Sequence, residues 1–411
     1  MKNNFNYISK IIGLFSIGCL LFQCKTEKKE TVLTNSENKT YTISDTLKWS
    51  ERMALTLMEQ HPKAYQIDDK EEPKWDYVHG LVLTSFEKLY EKTKDKKYYD
   101  YIQGYADATI DSSGVIASYK YENFNIDMIE AGNILFNLYD TTQDDKYLKA
   151  MQLLRKQLSE HPRTTEGGFW HKKRYPSQMW LDGLFMAEPF YAHYTTKFEN
   201  GTNLDDVAKQ FELIQKHAYD SKTGLLYHGW DESKKMDWAN KETGTSPNFW
   251  SRSLGWYAMA LVDALDYFPE NHPKRKELIA YLNQLAKALA KQQHPSGLWY
   301  QVTNLGDKEG NYLEASGSAM FAYAFAKGAN KGYLPIEYKT KANKAFDGLT
   351  EKLVKISENG NVIITQACAV AGLGGNPYRD GSYEYYINEK KKDNDPKATG
   401  PFILAAIELN R

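Results

Sequence analysis

Residues 166–189 read EGGFWHKKRYPSQMWLDGLFMAEP. One acid, Asp182, stands there among Trp180, Leu181, Leu184, Phe185 and Met186. A carboxylate in apolar company is costly unless it has partners or a task. Proton transfer is such a task. Apolar neighbours disfavour the charged form of an acid, and a second carboxylate nearby pushes the same way. Asp127 in FNIDMIEAG is the candidate second acid, since I126-D127-M128 and L181-D182-G183 both place an acid at a helix entry. His171 and Lys172 lie in the GGFWHKKRY loop and His228 in LLYHGWDE. Arg252, in NFWSRSLGW, is flanked by Trp250 and Trp256. Two carboxylates, two histidines, an arginine and several indoles facing one funnel describe a pocket for a sugar acid. The guanidinium forks a carboxylate, and an indole offers a flat face to a ring.

Each residue also has a plainer reading. An aspartate at a helix start is usually an N-cap. His228 alone is a satisfied loop histidine, and Arg252 between tryptophans is a buried cation stacked on indole. What favours chemistry is convergence, and convergence depends on the elements that carry these residues.

Those elements are a repeat. LYEKTKDKKYYDYI begins at Leu89 and LYDTTQDDKYLKAM at Leu138. Each copy is an apolar helix, a charged turn and an amphipathic helix. Looser copies start at Ala260 and near Met320. Repeats of this length indicate stacked helical hairpins. The first helix of each pair is apolar nearly all round and should be buried; the second should lie outside. Without polar capping repeats at the ends, six such pairs predict a closed ring, an (α/α)6 toroid in one all-α domain. Glycine-aromatic loops (DSSGVIASYKY, TTEGGFWHKKRY, DSKTGLLYHGWDE, HPSGLWYQV, SENGNVIITQ) follow the second helices. In a toroid they gather at one end and line one funnel, as loops on a rigid scaffold do.

The whole chain sets outer bounds. Its 411 residues carry a formal net charge of −1, which gives no basic balance for nucleic acid. Aromatic residues make up 14%, with 30 Tyr and 9 Trp, enough for a large core and for carbohydrate stacking. MKNNFNYISK followed by IIGLFSIGCLLFQC reads as a secretory signal, too short for a comfortable membrane span. Residues 1–24 are expected to be a lipoprotein-type signal, 25–45 a polar tether and 46–411 the catalytic domain. Cys24, where the apolar run meets the tether, is the expected lipidation site, and Cys19 competes with it. The expected location is the cell envelope, as a periplasmic or outer-membrane lipoprotein, with secretion as the alternative. Cys368 is left as a small buried hydrophobe, so no disulfide framework is expected. No histidine spacing suits a metal. GLGGNPYRDGSYEYY follows no strand of a βαβ unit, so a dinucleotide is not indicated. No cofactor is expected.

The motifs NIDMIEAG, GGFWHKKRYPSQMWLDGLFMA, YHGWDE, FWSRSLGW, SGLWYQV, EASGSAM and GLGGNPYRDGSYEYY resemble the unsaturated rhamnogalacturonyl hydrolases, glycoside hydrolase family 105, over roughly Trp75 to Arg411. That resemblance implies the (α/α)6 fold found above from the repeat. It implies Asp182 as the catalytic acid and base, with Asp127, His171, Lys172, Trp180, His228, Trp250, Arg252 and Trp256 shaping the pocket. The substrate it implies is an oligosaccharide whose terminal uronic acid carries a C4=C5 double bond left by a polysaccharide lyase. Protonation at C4 and addition of water at C5 give a hemiketal that opens and releases the rest of the chain. Rhamnogalacturonan and ulvan both supply such a unit beside rhamnose. Lys172 and Lys173 are available for a sulfate. Two rival readings fit parts of the sequence. One is an inverting glycosidase with Asp127 and Asp182 as base and acid. The other is a non-catalytic glycan-binding lipoprotein.

Overall fold

The two copies of the repeat fold alike down to their turns. At each turn one residue adopts a left-handed conformation: Lys94 (φ 60°) in the first, Gln143 (φ 56°) in the second. Just before it, Thr93 and Thr142 donate back to the carbonyls of Leu89 and Leu138 at 2.9 and 2.7 Å. Just after it, Asp95 and Asp144 cap the next helix by accepting from the N–H groups of Lys97 and Lys146. The shared T-x-D spelling is therefore a helix stop followed by a helix start.

The computed structural model describes residues 42–411; the signal, the expected lipid site at Cys24 and the tether up to residue 41 lie outside them. Residues 42–45, expected to be tether, belong instead to the domain, with Ile43 buried and its N–H donating to the Asn359 carbonyl at 2.9 Å. The helices run α1 (Trp49–Gln60), α2 (Tyr77–Thr93), α3 (Lys96–Thr109), α4 (Asp127–Glu130), α5 (Leu135–Thr142), α6 (Asp145–Glu160) and α7 (Leu181–Phe198). They continue with α8 (Leu204–Ala218), α9 (Ser251–Ala264), α10 (Arg275–Gln292), α11 (Ala315–Asn330), α12 (Glu337–Gly348), α13 (Tyr383–Asn388) and α14 (Pro396–Leu409). The inner ring is α2, α4 with α5, α7, α9, α11 and α14, each packed on the next, and α14 closes back on α2. Helices α3, α6, α8, α10 and α12 form the outer layer. The architecture is the expected (α/α)6 toroid.

Two details differ from six uniform hairpins. The sixth outer place is filled by α1, which packs on α14 from the other end of the folded chain. The second inner helix is broken, with residues Ala131–Ile134 tightening to a 3₁₀ segment between α4 and α5. A Cβ at Gly132 would sit 2.7 Å from the Phe190 ring, so neighbouring side chains press on the chain there.

Burial follows the sequence pattern. In α9 every residue except Asp263 is buried, whereas α8 buries one face. The inner ring is tight where residues are small. A Cβ on Gly80 would come within 2.5 Å of the Ala131 Cα, so α2 meets the start of the 3₁₀ segment backbone to backbone. Each of the outer helices α3, α6, α8, α10 and α12 is followed by a glycine turn on the way to the next inner helix, and the glycines all have positive φ: Gly114, Gly167, Gly224, Gly297 and Gly360 at 88, 97, 78, 94 and 83°. Only glycine adopts that backbone without strain. Short antiparallel strands lie beyond the turns. One pair joins Gln178–Trp180 to Gly229–Asp231, with Trp180 opposite Gly229. Cys368 is buried and free, as expected.

Candidate active site

The strand register brings the first two site residues together. Because Trp180 pairs with Gly229, the next N–H, that of Leu181, donates to the His228 carbonyl at 3.0 Å. Asp182, one residue into α7, then faces the imidazole, and its Oδ2 lies 3.2 Å from His228 Nε2. His228 is wholly buried. Its other nitrogen, Nδ1, is 2.7 Å from the Tyr386 hydroxyl. Burial holds the Tyr386 phenol well above its ordinary range, so it keeps its proton and can donate. With Tyr386 donating to Nδ1, the His228 ring proton sits on Nε2, the nitrogen 3.2 Å from Asp182, although the two groups are not aligned as a hydrogen bond.

Neither aspartate is an N-cap. Helix α7 is preceded by Trp180 and α4 by Ile126, and no side chain caps either helix. The carboxylates are free of the bland task that their positions suggest. Asp127 is instead tied up from two sides. Lys172 Nζ forms an ion pair with its Oδ2, and His171 Nε2 lies 3.5 Å from its Oδ1. Burial, with Lys172 beside it, holds His171 well below its ordinary pKa, so the ring is neutral and Lys172 alone answers the Asp127 charge. The expectation that Asp127 acts on Asp182 as a bare second negative charge is corrected on this point.

The aromatic residues also behave differently from the expectation of open flat faces. Trp180 stacks with His171 (4.3 Å, 15°) and with Tyr175 (5.1 Å, 19°). Trp250 stacks on Tyr386 at 5.8 Å, has the Arg252 guanidinium 4.9 Å from its ring and donates to Gln301. Trp256, one turn further along α9, stacks on Phe185 at 4.8 Å. All three indoles are buried. They build the walls by stacking on other rings of the protein, and Trp250 and Trp256 offer no free face.

Arg252 is 1% exposed. Its Nη1 donates to the Cys368 carbonyl at 2.6 Å and to Ser316 Oγ at 3.2 Å, while Nε and Nη2 have no partner in the protein. Burial works against its charge, but Cys368, Asp395 and Glu314 outweigh it and keep it protonated. The plain reading of a buried cation on indole thus describes half of the group. The Nε–Nη2 edge is the half left for a carboxylate.

Sequence reasoning missed two residues. Tyr77 opens α2 next to its capping Asp76, and its ring meets Trp256 edge-on at 6.3 Å. Its hydroxyl feels both Asp127 and Arg252; burial first and Asp127 second raise it well above the ordinary range. Tyr77 stands at an inner-helix start, like Asp127 and Asp182, so the same positional rule finds it. Tyr386 lies 158 residues from His228, and no spacing in the sequence signals it.

The arrangement supplies one half-buried carboxyl group facing an imidazole, a second, buried carboxylate neutralised by a lysine, and a guanidinium edge without a partner. It suits proton transfer to and from a bound anion by a single acid–base group. Comparisons with known proteins show the family. A family model described as Glycosyl Hydrolase Family 88 matches residues 49–411. A solved Clostridium acetobutylicum (C. acetobutylicum ATCC 824) glycoside hydrolase from family 105 is 45% identical, covers 89% of this chain and 99% of its own, and superposes with a TM-score of 0.85. The unsaturated rhamnogalacturonyl hydrolase YesR of Bacillus subtilis is 26% identical over 75% of this chain and 84% of its own length. The unsaturated 3S-rhamnoglycuronyl hydrolase of an Alteromonas species is 26% identical over 56% of this chain and 50% of its own. These matches place the chain in glycoside hydrolase family 105, within the sequence family described as Glycosyl Hydrolase Family 88.

Proposed function

We propose that this hydrolase removes the terminal 4,5-unsaturated uronic acid from short oligosaccharides that a polysaccharide lyase has released, with Asp182 as the acid and then the base. The observation that carries this reading is the asymmetry of the two aspartates. Asp127 is paired with Lys172, while among the described residues Asp182 has no lysine or arginine partner and faces only the imidazole of His228, 3.2 Å away. An inverting glycosidase needs both carboxylates, one of them free to activate water. Hydration of an enol ether needs one group that gives a proton and takes one back.

Asp182 gives its proton to C4, and positive charge develops at C5 and the ring oxygen. The Asp182 carboxylate so formed takes a proton from water as its oxygen bonds to C5. The resulting hemiketal opens and the glycosidic bond is lost. The unpartnered Nε–Nη2 edge of Arg252 receives the uronate carboxylate. His228, held by Tyr386, sets its Nε2 beside Asp182 and orients the carboxyl group. The names of YesR, an unsaturated rhamnogalacturonyl hydrolase, and of the Alteromonas protein, an unsaturated 3S-rhamnoglycuronyl hydrolase, support rhamnose-linked uronyl substrates.

The test is incubation with lyase-digested rhamnogalacturonan and ulvan, following the ultraviolet absorbance of the conjugated double bond. Absorbance should fall, one sugar should be released from a trisaccharide or tetrasaccharide, and intact polymer should yield almost nothing. A ladder of products from intact polymer would favour the inverting-glycosidase reading. A lipid at Cys24 fits this role, since it would keep the enzyme in the envelope where fragments arrive. Labelled acyl chains should enter the wild type and not Cys24→Ser; label lost only from Cys19→Ser would move the anchor to that residue.

A further inference from the structure

Beside the catalytic residues lies a cleft of about 550 Å³, lined by Asn125, Lys172, Lys173 and Arg174, with Glu122 as its carboxylate. It adjoins the site directly. Asn125 accepts from the Asp127 N–H at 3.2 Å and pairs with Lys172 across a β-bridge, and Lys172 holds the Asp127 carboxylate. Lys172 is thereby spent. Lys173 and Arg174 are not. Both are exposed, and among the described residues neither forms an ion pair. Each rests on an aromatic ring: Lys173 Nζ is 5.6 Å from the centre of Phe124, and the Arg174 guanidinium 4.9 Å from that of Tyr175. Tyr175 stacks on Trp180, so Arg174 is carried by the wall of the catalytic pocket itself. A cation laid on a ring loses part of its rotamer freedom and little of its hydrogen-bonding capacity.

We propose that Lys173 and Arg174 form an anion-binding rim that reads a second negative charge on the substrate, carried by the sugars beyond the bond that breaks. The inference rests on the functional reading above, in which the first charge is the unsaturated uronate itself. The shared chemistry is a planar or tetrahedral oxyanion met by a guanidinium fork and an ammonium. It has two sources: a sulfate ester on the adjacent sugar, or the carboxylate of the next uronate along the chain.

The experiment compares wild type with Lys173→Ala, Arg174→Ala and the double variant on three substrates. They are an unsulfated unsaturated disaccharide, its sulfated counterpart, and an unsulfated tetrasaccharide with an internal uronate. The double variant should lose about tenfold or more in kcat/KM on a substrate that carries the second anion, mostly through KM, because charged hydrogen bonds are lost. It should change less than about twofold on the unsulfated disaccharide. Loss confined to the sulfated disaccharide names sulfate, and loss confined to the tetrasaccharide names the carboxylate. Equal loss on all three substrates, or loss on none, overturns the rim. If the wild type turns over none of the three, the functional reading fails, and the rim fails with it.

Discussion

Tyr386→Phe removes a single oxygen from a buried position. The ring stays, so its stacking on Trp250 at 5.8 Å stays, and so does the Tyr386 backbone carbonyl that accepts from Gln301 Nε2 at 3.0 Å. What goes is the partner of His228 Nδ1 at 2.7 Å. A buried polar atom stranded in this way costs about 1–3 kcal/mol. That cost has two outlets. If the imidazole keeps its orientation, the folded state loses stability by that amount and catalysis changes little. If the ring turns to find another partner, stability recovers, but Nε2 leaves its place 3.2 Å from Asp182 and the rate falls. The loss in unfolding free energy and the loss in activation free energy should therefore sum to about 1–3 kcal/mol, or roughly 5- to 150-fold if the rate takes all of it. The assay is kcat/KM from the absorbance of the unsaturated substrate across pH, beside urea unfolding of the same preparations. A shift in the pH profile is expected as well, which a merely structural hydroxyl would not cause. A variant within twofold of wild type in kcat/KM and within about 0.5 kcal/mol in stability, less than a typical net hydrogen bond, would refute the positioning of His228 by Tyr386.

Asp182→Asn should leave thermal unfolding unchanged and lower kcat by 10²–10⁴-fold, the usual cost of a lost general acid; retention of more than about a tenth of the activity would remove Asp182 from that role. Arg252→Lys should raise KM more than it lowers kcat, since a point charge cannot serve the Cys368 carbonyl and a uronate at once. An unchanged KM would leave Arg252 a purely structural cation. Glu188 is fully buried with both carboxyl oxygens unpartnered, and burial raises it well above its ordinary value of 4.5. The folded chain keeps this proton, and the unfolded chain releases it above pH 4.5. Wild type should therefore lose stability through this group as pH rises, by up to about 1.4 kcal/mol per unit. Glu188→Gln has no proton to release, so the gap between the two should move in favour of glutamine from pH 5 to 8. A gap that stays constant in paired unfolding curves contradicts the assignment.

What the sequence revealed was local. The turns at Lys94 and Gln143 are written in their own residues, because a threonine, a left-handed residue and a capping aspartate need no distant partner. The glycine turns are likewise self-contained. The break after Glu130 was not legible: the close packing of Gly132 against Leu154 and Phe190 at that point comes from other helices. In the site, the rule that inner-helix starts and loops share one end collected Asp127, His171, Lys172, Asp182 and His228, and the structure brings them together. The pairing of Asp127 with Lys172, the covered faces of Trp250 and Trp256 and the Cys368 bond of Arg252 depend on what each side chain meets across the ring. Tyr77 was within reach of the positional rule; Tyr386 was not.

The toroid is closed by α14 packing on α2 and α1, and Lys48 at one end donates to Asn410 at the other, 362 residues along the chain. Bringing such distant segments together costs about 5 kcal/mol of chain entropy by the usual logarithmic law. The five inner–outer pairs from α2 to α12 are joined by local turns and can assemble without that cost. The sixth cannot, and a chain whose sixth pair had not docked would leave the apolar flanks of α2 and α11 exposed to other chains. Tyr386, which sets His228, lies on the segment that leads into the closing helix. The acid–base pair is therefore completed together with ring closure, and a chain stalled with its ring open would carry Asp182 and His228 without the hydroxyl that orients them.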